Sequence, residues 1–121
     1  MAITNTKVVN TASKYIVKST GFGGEKDQIV VDAEVDCING TDQSKVSLIE
    51  CHYQIENKVS GVNGLLSFSA DSETDDKGLL LTGKYGLRPD QLKFGNDKII
   101  KITTDALVKS YLLVTEFRRN N

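Results

Sequence analysis

"KVSLIECHYQI" spans residues 45–55 and changes character at nearly every step. Ile49, Cys51, Tyr53 and Ile55 fall on one face, with Glu50, His52 and Gln54 on the other. Period two over this length is the mark of a strand in an antiparallel sheet, one face buried and one wet. The rhythm recurs on either side. "SKYIVKS" (13–19) sets Tyr15 and Val17 against Lys14, Ile16 and Lys18, and "QIVVDAEV" (28–35) sends Ile29, Val31, Ala33 and Val35 one way and Asp32 and Glu34 the other. "LLSFSA" (65–70) directs Leu66, Phe68 and Ala70 inward, and "LLLTG" (79–83), "KIIKIT" (98–103) and "VKSYLLVTEF" (108–117) complete the set. The last is apolar on both faces through Tyr111, Leu112, Leu113 and Val114. That predicts a central strand covered on both sides, or one whose outer face a partner covers.

Turn signals separate these runs. "GFGG" (21–24), Asn39-Gly40, Asn63-Gly64, Gly78, Gly86 and "GND" (95–97) each supply a residue that tolerates positive φ. The sole proline, Pro89 in "RPDQ" (88–91), suits the second position of a type I turn. One helical candidate, a turn at "DALVKS" (105–110), competes with the strand reading from Val108 onward. Seven to eight short strands with regular turns predict an all-β antiparallel β-sandwich, jelly-roll-like. Residues 1–12, "MAITNTKVVNTA", are polar except for Ile3, Val8 and Val9, and read as an N-terminal arm or edge strand. Residues 13–121 read as a single sandwich domain, a size that buries a core without metal or disulfide.

Fifteen basic residues face sixteen acidic ones, and no basic tract appears. Long-range attraction to nucleic acid or anionic lipid is therefore weak, and neither is an expected partner. No apolar stretch approaches the ~20 residues of a membrane helix. "MAITNTKVVN" lacks a charged start followed by an apolar run, so use in the cytosol or on a larger assembly is expected. Asn39-Gly40-Thr41 fits a glycosylation sequon that this context makes a chance match. Two cysteines, Cys37 and Cys51, are too few for a disulfide scaffold and read as buried thiols, with pairing left open.

No constellation of residues points to catalysis, and the chain does not read as an enzyme. "DSETDDKG" (71–78) gathers Asp71, Glu73, Asp75 and Asp76. As a calcium loop starting at Asp71 it would need Gly sixth and Glu twelfth, and it has Asp76 and Thr82. A solvated hairpin tip without metal is expected, its charge discouraging edge-to-edge pairing. Acids on such a loop stay ionised, which is unsuited to glycoside chemistry. His52, the only histidine, shares a face with Glu50 and Gln54 and should meet solvent or a partner. It has neither the companions of a zinc site nor a nucleophile turn. "GFGG" has neither the spacing nor the helix of a phosphate cradle. Tyr15, Phe68, Tyr111 and Phe117 fall at core spacing, whereas Phe22, Tyr85 and Phe94 lie in or beside loops and are interface candidates. No cofactor is expected.

Four stretches, "SKYIVKSTG" (13–21), "SLIECHYQIE" (47–56), "KYGLRPDQLKF" (84–94) and "KSYLLVTEFRRNN" (109–121), together resemble a family of small virion-associated proteins of tailed phages. The resemblance spans most of the chain and carries no chemical motif. It implies a non-enzymatic structural β protein of the virion, made in the host cytoplasm. Its first-choice role is a capsid decoration (cement) protein that binds the major capsid protein or other virion proteins, as a homo-oligomer on the particle. A head–tail connector or tail component is the alternative. A carbohydrate-binding β-sandwich module is a rival from another class, set back by the absence of Trp. The expected contact residues are Ile3, Val8 and Val9 of the arm, Phe22, Tyr85 and Phe94 of the loops, and Arg118 and Arg119 of the tail, arginine being enriched in interfaces.

Overall fold

The computed structural model describes residues 3–70, 79–82, 85–88 and 94–120. Among them the chain forms β1 (Thr4–Asn10), β2 (Lys14–Phe22), β3 (Gln28–Asp32), α1 (Ala33–Asp36), β4 (Lys45–Asn57), β5 (Leu65–Ala70), β6 (Leu79–Thr82), β7 (Tyr85–Arg88), β8 (Phe94–Asp97), β9 (Ile99–Thr104) and β10 (Val108–Asn120). One sheet runs β1-β2-β10-β4-β7 with β8 also on β4, and the other runs β3-β9-β5-β6. Every pairing is antiparallel.

β7 and β8 follow one another along the same edge of β4. Arg88 lies opposite Cys51, then Phe94 opposite Leu48 and Asp97 opposite Val46. Counted as one interrupted strand, they bring the domain without β1 to eight strands, four in each sheet. From β2 to β5 every connection crosses between sheets, β5 and β6 form a hairpin, and crossing resumes through β10. That is the connectivity of a jelly roll, so the all-β antiparallel sandwich expected from the alternation is the fold found.

The core lies between the sheets. Tyr15, Val17, Leu48, Cys51, Ile55, Leu113 and Phe117 of the larger sheet meet Val30, Val31, Leu66, Phe68, Leu81, Ile100 and Ile102 of the smaller. Burying each large aliphatic or aromatic side chain contributes about 1.5–3 kcal/mol. Tyr15 and Phe117, direct cross-strand partners, pack as tilted rings with centroids 6.3 Å apart. β10 is the central strand of the larger sheet, flanked by β2 and β4. Its inner face is Tyr111, Leu113, Thr115, Phe117 and Arg119, and outward-facing Leu112 and Val114 are half-buried.

In two strands the inward set differs from the simple alternation. In β4, Glu116 of β10 opposes Glu50 while Phe117 opposes Leu48, so Ile49 is an extra residue. This bulge flips the parity. Val46 and Leu48 are fully buried ahead of it, Cys51 and Ile55 after it, and Ile49 is left half-buried. In β3, Val30 is the extra residue, so Val30 and Val31 are both buried and Ile29 is exposed. The strand read over residues 28–35 ends at Asp32, whose side chain caps α1 by accepting from Glu34 N at 3.1 Å. Asp36 returns the bond, its carboxylate accepting from Asp32 N at 2.8 Å. Such reciprocal capping satisfies amides that a strand ladder would otherwise hold. Val35 consequently faces solvent. At "DALVKS" the strand wins: β10 starts at Val108, after a turn over Asp105.

β1 pairs with β2 from Thr4↔Thr20 to Asn10↔Tyr15, interrupted by a bulge between Lys7 and Val9. Asn5 ties it across the sandwich. Its side-chain oxygen accepts from Ser19 Oγ at 2.6 Å, and its Nδ2 donates to Ile29 O of the other sheet at 2.9 Å. Ile3 N donates to Gln28 Oε1 at 3.1 Å.

Candidate functional site

Among the described residues, jelly-roll connectivity brings three connections to one end of the sandwich: residues 23–27 between β2 and β3, residues 58–64 between β4 and β5, and residues 105–107 between β9 and β10. Asp105 joins them. Its carboxylate accepts from Leu65 N and Leu107 N, both at 3.0 Å. Its own amide donates to Leu65 O at 3.0 Å, and its carbonyl accepts from Gly24 N at 2.9 Å. Around it Lys58 N donates to Leu107 O at 2.9 Å, Gly23 N to Lys109 O at 3.3 Å, and Thr104 Oγ1 to Phe22 O at 2.9 Å. Asn57 Oδ1 accepts from Gly64 N at 2.8 Å and closes the 58–64 loop.

The approach is close enough to demand glycine. A Cβ on Gly23 would lie 1.6 Å from Val108 O, and one on Gly64 would lie 2.7 Å from Val108 N and 2.9 Å from Asp105 Oδ1. The three connections therefore form one hydrogen-bonded platform. It carries exposed apolar side chains on and beside the connections: Phe22 is 44 % exposed, Val59 53 %, Val62 40 %, Leu65 36 % and Leu107 42 %. Single exposed apolar side chains are ordinary; here Val59, Val62 and Leu107 lie on the connections, and Phe22 and Leu65 at the adjoining ends of β2 and β5, at the same end of the sandwich. The charges around them nearly balance, with Lys26, Lys58 and Lys109 against Glu25, Asp27, Glu56 and Asp105. Several are already engaged: Glu25 accepts from Phe22 N at 3.2 Å, and Glu56 lies 3.5 Å from Lys109 Nζ and accepts from Ser110 Oγ at 3.2 Å. Nothing in this set concentrates one sign of charge. Between the end of β4 and the 58–64 loop lies a cleft of ≈340 Å³.

The residues singled out from the sequence are distributed. Phe22 belongs to the platform. Ile3 packs against the core, Val8 is exposed at the bulge in β1, and Val9 is half-buried. Tyr85 and Phe94 contribute backbone to β7 and β8, and their side chains lie outside the described residues, as does the whole acidic stretch 71–78. Arg118 is exposed, its Nε donating to Asn120 Oδ1 at 3.2 Å. Arg119, expected on a contact surface, is turned inward and buried. Its Nη1 donates to Thr11 O at 3.0 Å and to Ile38 O at 2.7 Å, clasping the end of the arm and the β3–β4 connection to β10. The inner parity of β10 dictates this, since Arg119 follows Phe117 on the same face.

Cys37 and Cys51 are both buried and are not joined in a disulfide. Burial pushes the Cys37 thiol up, with Arg119 pulling the other way. His52 is exposed, opposite Val114 and Leu87. Among the described residues no group of three or more His, Cys, Asp or Glu comes together to hold a metal ion, and no helix is long and apolar enough to cross a membrane.

Sequence reasoning passed over Asp105, Val59, Val62, Leu65 and Leu107. The available signal was the pairing of Asn63-Gly64 with an Asp ahead of a strand, which marks loops tied by side-chain-to-backbone bonds without saying which loops meet. No protein-family model, curated protein or solved structure matches the chain.

Proposed function

We propose that the chain is a structural protein of a tailed-phage virion, a capsid decoration (cement) protein that binds the head shell through the loop platform. The observation that carries this reading is the platform itself, three cross-bonded connections on which Val59, Val62 and Leu107 are exposed, with Phe22 and Leu65 exposed at the adjoining ends of β2 and β5. Exposed apolar surface costs free energy in water, and covering it with another protein lowers the free energy. The near-balance of charge around it suits a protein surface better than a polyanion. The resemblance of the four stretches supplies the virion context. Jelly rolls serve in viral capsid and lectin domains alike, so the fold alone does not choose between them. Phe22 is the single ring among the described platform residues, which leaves little stacking surface for sugar. On a shell of many identical sites, modest individual contacts add through multivalency, and a homo-oligomer on the particle would add further.

The test is binding of the purified protein to the shell of the phage that encodes it, with copy number counted by quantitative mass spectrometry. Decoration predicts on the order of hundreds of copies per particle, because every lattice site is equivalent. About a dozen or fewer would move the role to the neck or tail. No association with particles, together with reproducible hits on a glycan array, would replace the reading with the sugar-binding module.

A further inference from the structure

Among the described elements β1 alone is both terminal in the chain and at the edge of a sheet, since β10, at the other end of the chain, is central. No residue of Thr4–Asn10 belongs to the core, and Ile3 only packs against it, partly buried. The arm is held instead by its ladder with β2 and by side-chain hydrogen bonds. Asn5 accepts from Ser19 Oγ at 2.6 Å and donates to Ile29 O at 2.9 Å. Asn10 Nδ2 donates to Asp36 O at 3.2 Å, and its Oδ1 accepts from Ile38 N at 2.8 Å. The arm can therefore leave while the core stays closed, an opening that costs less than global unfolding. Its departure bares the outer edge of β2 and takes the acceptor from Ser19, which is fully buried beside it. We propose that a second copy of this chain fills that site: the arm of one copy lies on β2 of its neighbour, in place of the neighbour's own.

The two asparagines choose the occupant. Any extended strand can pair with β2 through main-chain bonds, which read no side chains. A strand that also meets Ser19, Ile29 O, Asp36 O and Ile38 N needs amide side chains at positions 5 and 10, set apart by the bulge between Lys7 and Val9. An identical arm from a neighbour makes all of these bonds, which is why exchange of an identical element is a low-cost route to a dimer. The difference between the two arrangements is confined to residues 11–13, which are exposed. When they straighten, the turn bonds from Thr11 N to Lys14 O at 2.9 Å and from Lys14 N to Thr11 Oγ1 at 3.1 Å are given up, together with the Arg119 bond to Thr11 O. Three extended residues span at most about 10 Å. The two domains must therefore meet at the Thr11 end of β2, away from the loop platform. Val35 and Ile38, on the segment that Asn10 binds at this end, are 73 % and 46 % exposed, and a neighbour placed there covers apolar surface. The exchange needs no shell and does not rest on the virion role.

The experiment mixes two full-length variants, Thr6→Cys and Lys18→Cys, at rising concentration, with mild oxidation and mapping of the disulfides by mass spectrometry. Thr6 and Lys18 are exposed and directly opposite in the ladder, within the Cα separation that a disulfide spans. Each copy carries only one of the two changes, so a bond between positions 6 and 18 forms only when an arm lies on another copy's β2. That bond is expected, and its yield should rise with protein concentration. Adding Asn5→Ala and Asn10→Ala should act with opposite sign according to the copy that carries them. In the Thr6→Cys copy they weaken the donated arm, and the yield should fall about tenfold. In the Lys18→Cys copy they weaken the competing arm, and the yield should rise. None of these residues belongs to the core, so every variant keeps its fold. Absence of the 6–18 bond at all concentrations, or an equal yield for the two placements, overturns the exchange. Binding to phage particles is measured separately, so failure of the exchange and failure of the virion role are distinguishable.

Discussion

Tyr111 lies directly across from Gly21 in the β2–β10 pairing, and its ring covers the place where a side chain would be: a Cβ on Gly21 would sit 2.4 Å from the Tyr111 hydroxyl and 2.6 Å from Cζ. Tyr53 and Gly86 repeat the arrangement across β4 and β7. An aromatic laid over a cross-strand glycine supplies the packing that the glycine lacks. Gly21→Ala should therefore cost about 1–3 kcal/mol by overpacking, because the buried ring cannot step aside. The Tyr111 hydroxyl itself is buried without a hydrogen-bond partner. Tyr111→Phe removes an uncompensated polar group and should leave stability equal or raise it by up to about 1 kcal/mol, measured by urea unfolding near neutral pH. Burial raises the Tyr111 phenol well above its ordinary value, with Glu25 adding to the effect, and burial does the same for Tyr15. The unfolded chain then gives up these protons first, near pH 10, while the folded chain holds them. Stability from these phenols is complete below about pH 10 and is lost as pH climbs beyond it. Melting between pH 8 and pH 11 should show this fall, and Tyr111→Phe should show less of it. An identical fall in both proteins would remove Tyr111 as its source.

Within the elements, the loops that carry the apolar platform depend on one carboxylate. Asp105→Ala leaves Leu65 N and Leu107 N without their acceptor. Both amides are near solvent, so water recovers part of the loss and about 1–2 kcal/mol is expected, seen as a lower urea midpoint with unchanged slope. Platform contacts should suffer along with stability, whereas Val62→Ser, which leaves the Val62 N–H to Val59 O bond in place, should weaken partner binding alone. Much of the element structure was legible beforehand because β2, β5 and β10 hold strict alternation, and the expected inward residues Tyr15, Val17, Leu66 and Phe68 are buried. The misreadings have a common cause. A period-two reading assumes one residue per position, and a bulge adds one. Ile49 and Val30 are those additions, and neither differs in kind from its neighbours, so composition could not mark them. Asp32 could have been read as a helix cap, but Val31, Ala33 and Val35 around it carry the strand pattern just as well.

Across the whole molecule, the strand at the end of the chain is the middle of the larger sheet. β10 pairs along its length with both β2 and β4, so residues nearly the full chain apart must meet before that sheet exists. Alternation shows which residues face inward but says nothing of which strands are neighbours, and this is why the jelly-roll strand order could be guessed only as a class. The platform shares that limit, since the segments carrying Phe22, Val59 and Leu107 are brought to one end by strand order and by no local signal. Strand order also makes the two termini unequal. β1 is peripheral: among the described strands it borders β2 alone, and it is held by Asn5, Asn10 and the Arg119 clasp. Removing residues 2–10 should lower stability, since Ser19 loses its acceptor, yet leave a folded domain. Removing residues 115–121 takes away Phe117 and the Arg119 clasp and leaves β2 and β4 with no strand between their ends. Loss of Phe117 alone is worth about 3–5 kcal/mol, comparable with the whole stability of a small domain. Amide NMR spectra should therefore stay dispersed for the first truncation and collapse for the second. A dispersed spectrum from the chain lacking residues 115–121 would mean that the larger sheet closes without its central strand, and the strand order given above would have to be abandoned.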